Sequence, residues 1–205
     1  MKKIISFSLW GSKPIYNIGA IKNAILAKDL YPGFECWFYC DEKTVPKETF
    51  DGLYSLDNTK IIIRQDAIKS STWRFEAIDD PNVEIMLSRD TDSRISLREK
   101  IAVDEWLSSD KPFHIMRDHP DHRMPIMAGM FGTKKIPEIN SWSELLNSVN
   151  SSHYGNDQDF LMNQIYPVVR DKSIIHASFN KIEGDECKDF LFKDGSKFVG
   201  EYVYE

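Results

Sequence analysis

Four short apolar runs fall within the first 90 residues, and the stretches between them alternate turn signals with helical spacing. This pattern sets the tightest limit on the fold. Ile4 to Leu9 reads as a strand and Gly11 to Pro14 as a turn; Ile18, Ile21, Ile25 and Leu26 then recur at helical spacing up to the stop Tyr31-Pro32-Gly33. Phe34 to Cys40 is a second strand, Pro46 opens a helix through Leu56, Lys60 to Arg64 is a β-branched third strand, and Val83 to Leu87 a fourth. Strands separated by helices cannot pair as hairpins. The expectation is therefore an α/β domain with a Rossmann-like, mainly parallel or mixed central sheet flanked by helices, binding its ligand at the carboxyl edge.

The second half keeps the alternation. Ser96 with Glu99, and Ser141 with Glu144, are capping-box signatures that open helices. Phe113 to Arg117, Pro125 to Phe131 and Ser173 to His176 read as strands, and Asp157 to Val169 as a helix that Pro167 should end or distort. Asp194-Gly195 predicts a small carboxyl-terminal β-hairpin. With 205 residues, 41% hydrophobic, and no repeat or flexible linker, one domain over 1–205 is expected, which can equally be one domain of a longer protein. A net charge of −6 removes the electrostatic basis for general nucleic-acid or anionic-membrane binding. No segment is apolar enough to span a membrane. Cys36, Cys40 and Cys187 lack zinc-type spacing, and the first two share one strand face as buried small hydrophobes, so a reduced, cytoplasmic setting is expected. The oligomeric state is open.

The chemistry concentrates where the fourth strand ends, in Val83-Glu-Ile-Met-Leu-Ser-Arg-Asp-Thr-Asp-Ser-Arg94. Side chains two apart in extended backbone point the same way, so Asp90 and Asp92 can share one site. With 19 Asp in the chain, chance alone supplies about two Asp-x-Asp pairs, and two are present. Position gives the first pair its weight, because it lies at a strand's carboxyl end. A hard cation such as Mn²⁺ or Mg²⁺ held there can bridge carboxylates to a pyrophosphate, and Arg89 and Arg94 flank the pair. The second pair lies in Tyr154-Gly-Asn-Asp-Gln-Asp-Phe-Leu161, at the start of a helix, where carboxylates also favour the helix dipole. His176, at another strand end, reads as either a satisfied core histidine or a third metal ligand. In His114 to His122, Pro120 argues against a zinc pair, and Arg117 and Asp118 are candidate sugar or phosphate contacts.

Taken together, Lys3-Ile-Ile-Ser-Phe-Ser-Leu-Trp-Gly11, Ser88-Arg-Asp-Thr-Asp-Ser-Arg94 and Arg98 to Pro120 resemble glycosyltransferases of the GT-A type, most closely a family found in bacteria and large algal viruses. The resemblance spans residues 3 to about 165. It implies a nucleotide-sugar-binding half (1–94) and an acceptor-side half (95–205), with Mn²⁺ or Mg²⁺ as cofactor. It also implies base and ribose contacts from Ser8, Leu9, Trp10, Gly11, Tyr16 and Arg64, with Trp73 and Arg74 over the sugar nucleotide. Asn156-Asp-Gln-Asp-Phe-Leu161 is similar to a motif of the retaining galactosyltransferase and glycogenin group that lies near the transferred sugar, making Asp157, Gln158 and Asp159 candidate catalytic residues and His176 a candidate metal ligand. That group's His-x-x-Gly-x-x-Lys is absent, with Phe179 and Ile182 in the glycine and lysine places and Lys181 as a substitute. The implied activity is transfer of a sugar from a nucleotide diphosphate donor, UDP favoured, to a glycan or glycoprotein, viral capsid protein glycosylation among the possibilities. Alternatives are an Asp-x-Asp phosphatase, disfavoured because its motif ordinarily lies near the amino terminus, and a carbohydrate-binding module without turnover. Retention and inversion are both open.

Overall fold

The computed structural model describes residues 1–65, 67–149, 155–193, 195 and 197–204. Its first half follows the sequence pattern closely: β1 (Lys2–Leu9), α1 (Pro14–Leu30), β2 (Phe34–Asp41), α2 (Lys47–Tyr54), β3 (Thr59–Arg64) and β4 (Val83–Arg89). A run of 3-10 turns, Ala67–Asp79, connects β3 to β4. Then come α3 (Leu97–Leu107), β5 (Phe113–Arg117), β6 (Met130–Lys134), α4 (Trp142–Ser148), α5 (Asn156–Phe160), a π-helical turn (Leu161–Ile165), α6 (Tyr166–Val169), β7 (Ser173–Ala177) and β8 (Cys187–Lys188).

The eight strands form one mixed sheet in the order β3-β2-β1-β4-β6-β5-β7-β8. All pairs are parallel except those of β6, which runs antiparallel to both β4 and β5. This is the expected α/β, Rossmann-like architecture. The chain winds outward from β1 to β2 and β3, then returns to place β4 on the other side of β1. Crossovers leaving in opposite directions open a crevice above the carboxyl ends of β1 and β4, where ligands bind in such sheets.

Strict alternation along the strands sends side chains into two cores. Ile5, Phe7 and Leu9 with Cys36, Phe38 and Cys40 face α1 and α3, and Trp106 of α3 packs among them. Ile4, Trp37 and Tyr39 face the 3-10 segment together with Phe75, Phe131, Trp142 and Phe160. The cysteines are buried and free. Both capping serines act as expected, Ser96 Oγ accepting from Glu99 N at 3.3 Å and Ser141 Oγ from Glu144 N at 3.1 Å.

Several expectations are corrected. The isoleucine stripe does not set the buried face of α1: Ile18 and Ile25 are 39% and 49% exposed, while Asn17, Gly19, Ala20, Asn23, Ala24 and Ala27 pack inward. The strand expected over Pro125 to Phe131 is Met130–Lys134, because Met130 N donates to Met127 O at 2.9 Å and closes a turn there. The helix over 157–169 is not uniform. Tyr166 N reaches back to Leu161 O, a π-type bond one residue wider than an α-helical one, just before Pro167. Asp194 of the expected hairpin lies outside the described residues. Among those that are described, no helix is long and apolar enough to cross a membrane.

Candidate functional site

The carboxyl ends of β1 and β4, the 3-10 segment and the start of α5 enclose a cavity of about 580 Å³, within the usual range for small-molecule sites. Ser8, Leu9, Trp10 and Gly11 come from the end of β1, and Lys13 and Tyr16 from the start of α1. Asp90, Thr91 and Asp92 follow β4; Ser70, Ser71 and Arg74 lie on the 3-10 segment; and Gly155, Asn156, Asp157 and Gln158 enter from α5. Gly155 has φ of +89°, a conformation that favours glycine and turns the chain into α5.

Arg74 organises the floor. Its backbone is tied to β1, its N–H donating to Ser8 Oγ at 3.1 Å and its carbonyl accepting from Ser6 Oγ at 2.8 Å. The buried guanidinium ion-pairs with Asp90 through Nη1, which also donates to Arg89 O at 3.1 Å, while Nη2 lies 3.7 Å from Asp157 Oδ2. Nε has no partner among the described residues. Burial, then the nearby Asp90 charge, pushes the Asp92 carboxyl up to about 6. Burial also raises Asp157, against the pull of Arg74 and with the help of Asp90. Asp90 and Asp157 thus share one buried guanidinium with Asp92 nearby, and burial together with crowded negative charge raises carboxyl pKa values.

The loop bearing Asp90 and Asp92 is held on every side. Asn23 Nδ2 donates to Ser93 O at 2.9 Å, and Ile95 N donates to Asn23 Oδ1 at 3.1 Å. Helix α1 approaches so closely that a Cβ on Gly19 would lie 1.8 Å from Thr91 O. On the opposite side, a Cβ on Gly129 would lie 1.9 Å from Asp90 Oδ2, so the glycine makes the recess that the carboxylate fills. The carboxyl-terminal segment adds a bond from Val203 N to Asp92 O at 3.0 Å.

Ten of the sequence-derived residues line this cavity: Ser8, Leu9, Trp10, Gly11, Tyr16, Arg74, Asp90, Asp92, Asp157 and Gln158. The others are engaged elsewhere. Arg89 lies on the Leu87 side of β4, turned into the core, where its Nε is 3.0 Å from Glu99 Oε1 and Tyr31 donates to the same oxygen at 3.0 Å. Arg94 ties its own loop together by donating to Thr91 O and Ser93 O. Arg64 pairs with Glu76, and Trp73 is buried edge-on beneath Trp10, their ring centroids 6.4 Å apart. Arg117 is fully buried against Glu183 and Pro125 O. Asp118 is held by Arg98 at 2.6 Å, by Ser178 and by Val199 N, which fastens the carboxyl-terminal segment rather than a ligand.

His176 does not join the aspartates. It sits on β7, three strands from β4, with Nδ1 2.9 Å from His114 Nε2 and Nε2 3.1 Å from Glu105. Its core reading is the one this geometry supports. Lys181 pairs with Asp189 on the surface. Asp159 is on the first turn of α5 but outside the lining, and Tyr154 lies outside the described residues. The Gln158 amide lies between Ile126 O and Ala128 N, and with its nitrogen turned to the carbonyl it donates there at 2.8 Å and accepts from Ala128 N at 3.1 Å, tying α5 to the loop that carries Gly129.

Sequence reading missed Lys13, Ser70, Ser71 and Thr91 of the lining, together with Gly19, Asn23 and Gly129, which shape it. The small residues on α1 were the one legible signal, since a helix face of Ala, Gly and Asn permits close approach. Among the described residues, no group of three or more His, Cys, Asp or Glu is gathered to hold a metal. The lining nevertheless offers hard oxygen donors suited to a cation, the carboxylates of Asp90, Asp92 and Asp157, against the positive charges of Arg74 and Lys13. No protein-family model matches this chain, and no curated protein sequence does so either.

Proposed function

We propose that this chain is a metal-dependent glycosyltransferase that moves a sugar from a nucleotide diphosphate donor, UDP-sugar favoured, to a glycan or glycoprotein acceptor. The observation that carries this reading is the meeting of Asp90, Asp92, Asp157 and Arg74 in one cavity at the topological switch point between β1 and β4. Asp90 and Asp92 would hold Mn²⁺ or Mg²⁺, with the metal supplying Lewis-acid stabilisation of the departing diphosphate.

The remaining roles fall to the chain itself. Trp10, braced by Trp73, offers an aromatic face for a nucleobase at the cavity rim, and Gly11 and Tyr16 offer contacts beside it. Arg74 and Lys13 supply positive charge toward a diphosphate. Asp157, drawn to Arg74 and raised by burial, is the carboxylate available at the sugar end of the cavity. If the anomeric centre inverts, such a carboxylate takes the acceptor hydroxyl proton; if configuration is retained, it stabilises the positive charge that develops on the sugar.

Calorimetric titration of UDP, GDP, dTDP and CDP with Mn²⁺, and again with EDTA, tests the reading. One nucleotide is expected to bind tightly with Mn²⁺, weakly with EDTA, and at least tenfold more weakly to Asp92→Asn. Equal binding with and without the metal would remove the metal-site assignment. Failure of all four to bind would remove the donor assignment, and a trapped phospho-aspartate would favour the phosphatase instead.

A further inference from the structure

Arg74 is buried and positively charged, and its guanidinium lies against two of the carboxylates that line the cavity. Its Nη1 holds Asp90 and its Nη2 faces Asp157 at 3.7 Å. The other carboxylate oxygen of Asp90 lies over Gly129, and the side chain is 45% exposed, so Asp90 faces the guanidinium on one side and open cavity on the other. The guanidinium is not saturated either: Nε is buried without a partner among the described residues, and a buried unpaired donor costs about 1–3 kcal/mol. The arginine's backbone is anchored to Ser6 and Ser8 of β1, so its side chain can shift while its attachment stays in place.

Resting on the donor-site reading above, we infer that Arg74 is an internal counter-cation that competes with the divalent metal for Asp90 and is drawn off it by the donor's diphosphate. In the empty site, the guanidinium neutralises Asp90 and Asp157 and weakens the attraction of the pocket for a second cation. An incoming diphosphate offers the planar guanidinium two oxygens at once, so that Nε and one Nη can donate in a bidentate pair. As Arg74 turns to the diphosphate, Asp90 is released to the metal. Metal and nucleotide therefore bind with positive coupling, and free metal alone binds weakly. By linkage, the coupling is reciprocal.

A purely structural arginine and a competing one predict opposite signs for a single measurement. Binding of Mn²⁺ alone is followed by the electron paramagnetic resonance signal of the free ion, for the wild-type chain, Arg74→Met and Arg74→Gln, with circular dichroism and thermal melting as checks on folding. Binding of whichever of UDP, GDP, dTDP and CDP binds the wild type best is measured at saturating Mn²⁺. Arg74→Met is expected to bind Mn²⁺ alone at least tenfold more tightly and the nucleotide at least tenfold more weakly. Unchanged or weakened Mn²⁺ binding in folded Arg74→Met overturns the proposal. Should that variant fail to fold, Arg74→Gln decides, because its neutral amide keeps a hydrogen-bonding side chain among the carboxylates while removing the competing charge. A severalfold gain in Mn²⁺ affinity supports the competition, and no gain overturns it. Wild-type protein that binds neither Mn²⁺ nor any nucleotide, separately or together, removes the donor-site reading and this proposal with it. Normal wild-type binding with no gain in either variant removes this proposal alone.

Discussion

At the scale of single residues, the site depends on what is missing from two glycines as much as on what its acids supply. Gly129 and Gly52 make an informative pair. A Cβ at Gly129 meets the short Asp90 side chain, whereas one at Gly52 meets Ile21 Cδ1 at 2.6 Å, the flexible end of a partly buried side chain on another helix. Gly129→Ala is expected to displace the Asp90 carboxylate and reduce metal-dependent nucleotide affinity at least tenfold. Gly52→Ala should leave that affinity within twofold, because Ile21 can rotate away. Titration of both variants checks this, and equal losses would mean that Asp90 does not depend on its recess. The acids themselves could be read from the sequence because they directly follow an apolar strand, and the carboxyl end of β4 borders the cavity. Arg89 could not be read in the same way. Its identity suggested phosphate binding, yet its place on the Leu87 side of β4 commits it to Glu99 and Tyr31 inside the fold.

At the scale of elements, helix α1 shows how packing can override a hydrophobic pattern. Its isoleucines recur at the right spacing, but the loop after β4 needs a neighbour at close range, and only the Gly19, Ala20, Asn23, Ala24, Ala27 face permits that approach. Ala24→Leu is therefore expected to destabilise by about 1–3 kcal/mol through overpacking. Ile25→Gln on the exposed face should stay within about 0.5 kcal/mol of wild type. Chemical unfolding of the two variants reads the difference, and a larger loss at Ile25 would show that the isoleucine face is covered in solution. The π turn before Pro167 is a second case. Pro167 indicated a disturbance, but its form depends on how Leu161 and Ile165 pack among the aromatic residues of the adjoining core.

At the scale of the whole molecule, buried histidines set the acid limit. Burial, then the nearby His119, lowers His122 to about 4, and burial with His176 and Arg89 holds His114 well below 6.5. A histidine whose folded pKa is depressed contributes no penalty above its unfolded value near 6.5. Below that value the unfolded chain takes up a proton that the folded chain refuses, so stability falls as pH drops from about 6.5 and levels off for His122 below about 4. Thermal melts between pH 8 and pH 4 are expected to decline mainly below 6.5, and His122→Gln should flatten part of that decline. The raised Asp92 carboxyl acts with the opposite sign over the same range, so the variant decides: a His122→Gln profile parallel to that of the wild type would rule out this source of acid sensitivity.

Strand and helix succession, both capped helix starts, the buried cysteine pair and the carboxylates after β4 were legible in the sequence, because local periodicity and turn chemistry act over a few residues. Which way Arg89, Arg117 and His176 face was not legible. Nor was the seating of Arg74 between Asp90 and Asp157, or the closeness of Gly19 and Gly129 to the site. Those features join residues from different elements of the chain. They exist only once β4 lies beside β1, β6 reverses direction, and two independent cores compete for each side chain. The local code therefore names the groups that can do chemistry, and the tertiary structure decides which of them meet, because only packing can trade a charge's solvent for a partner.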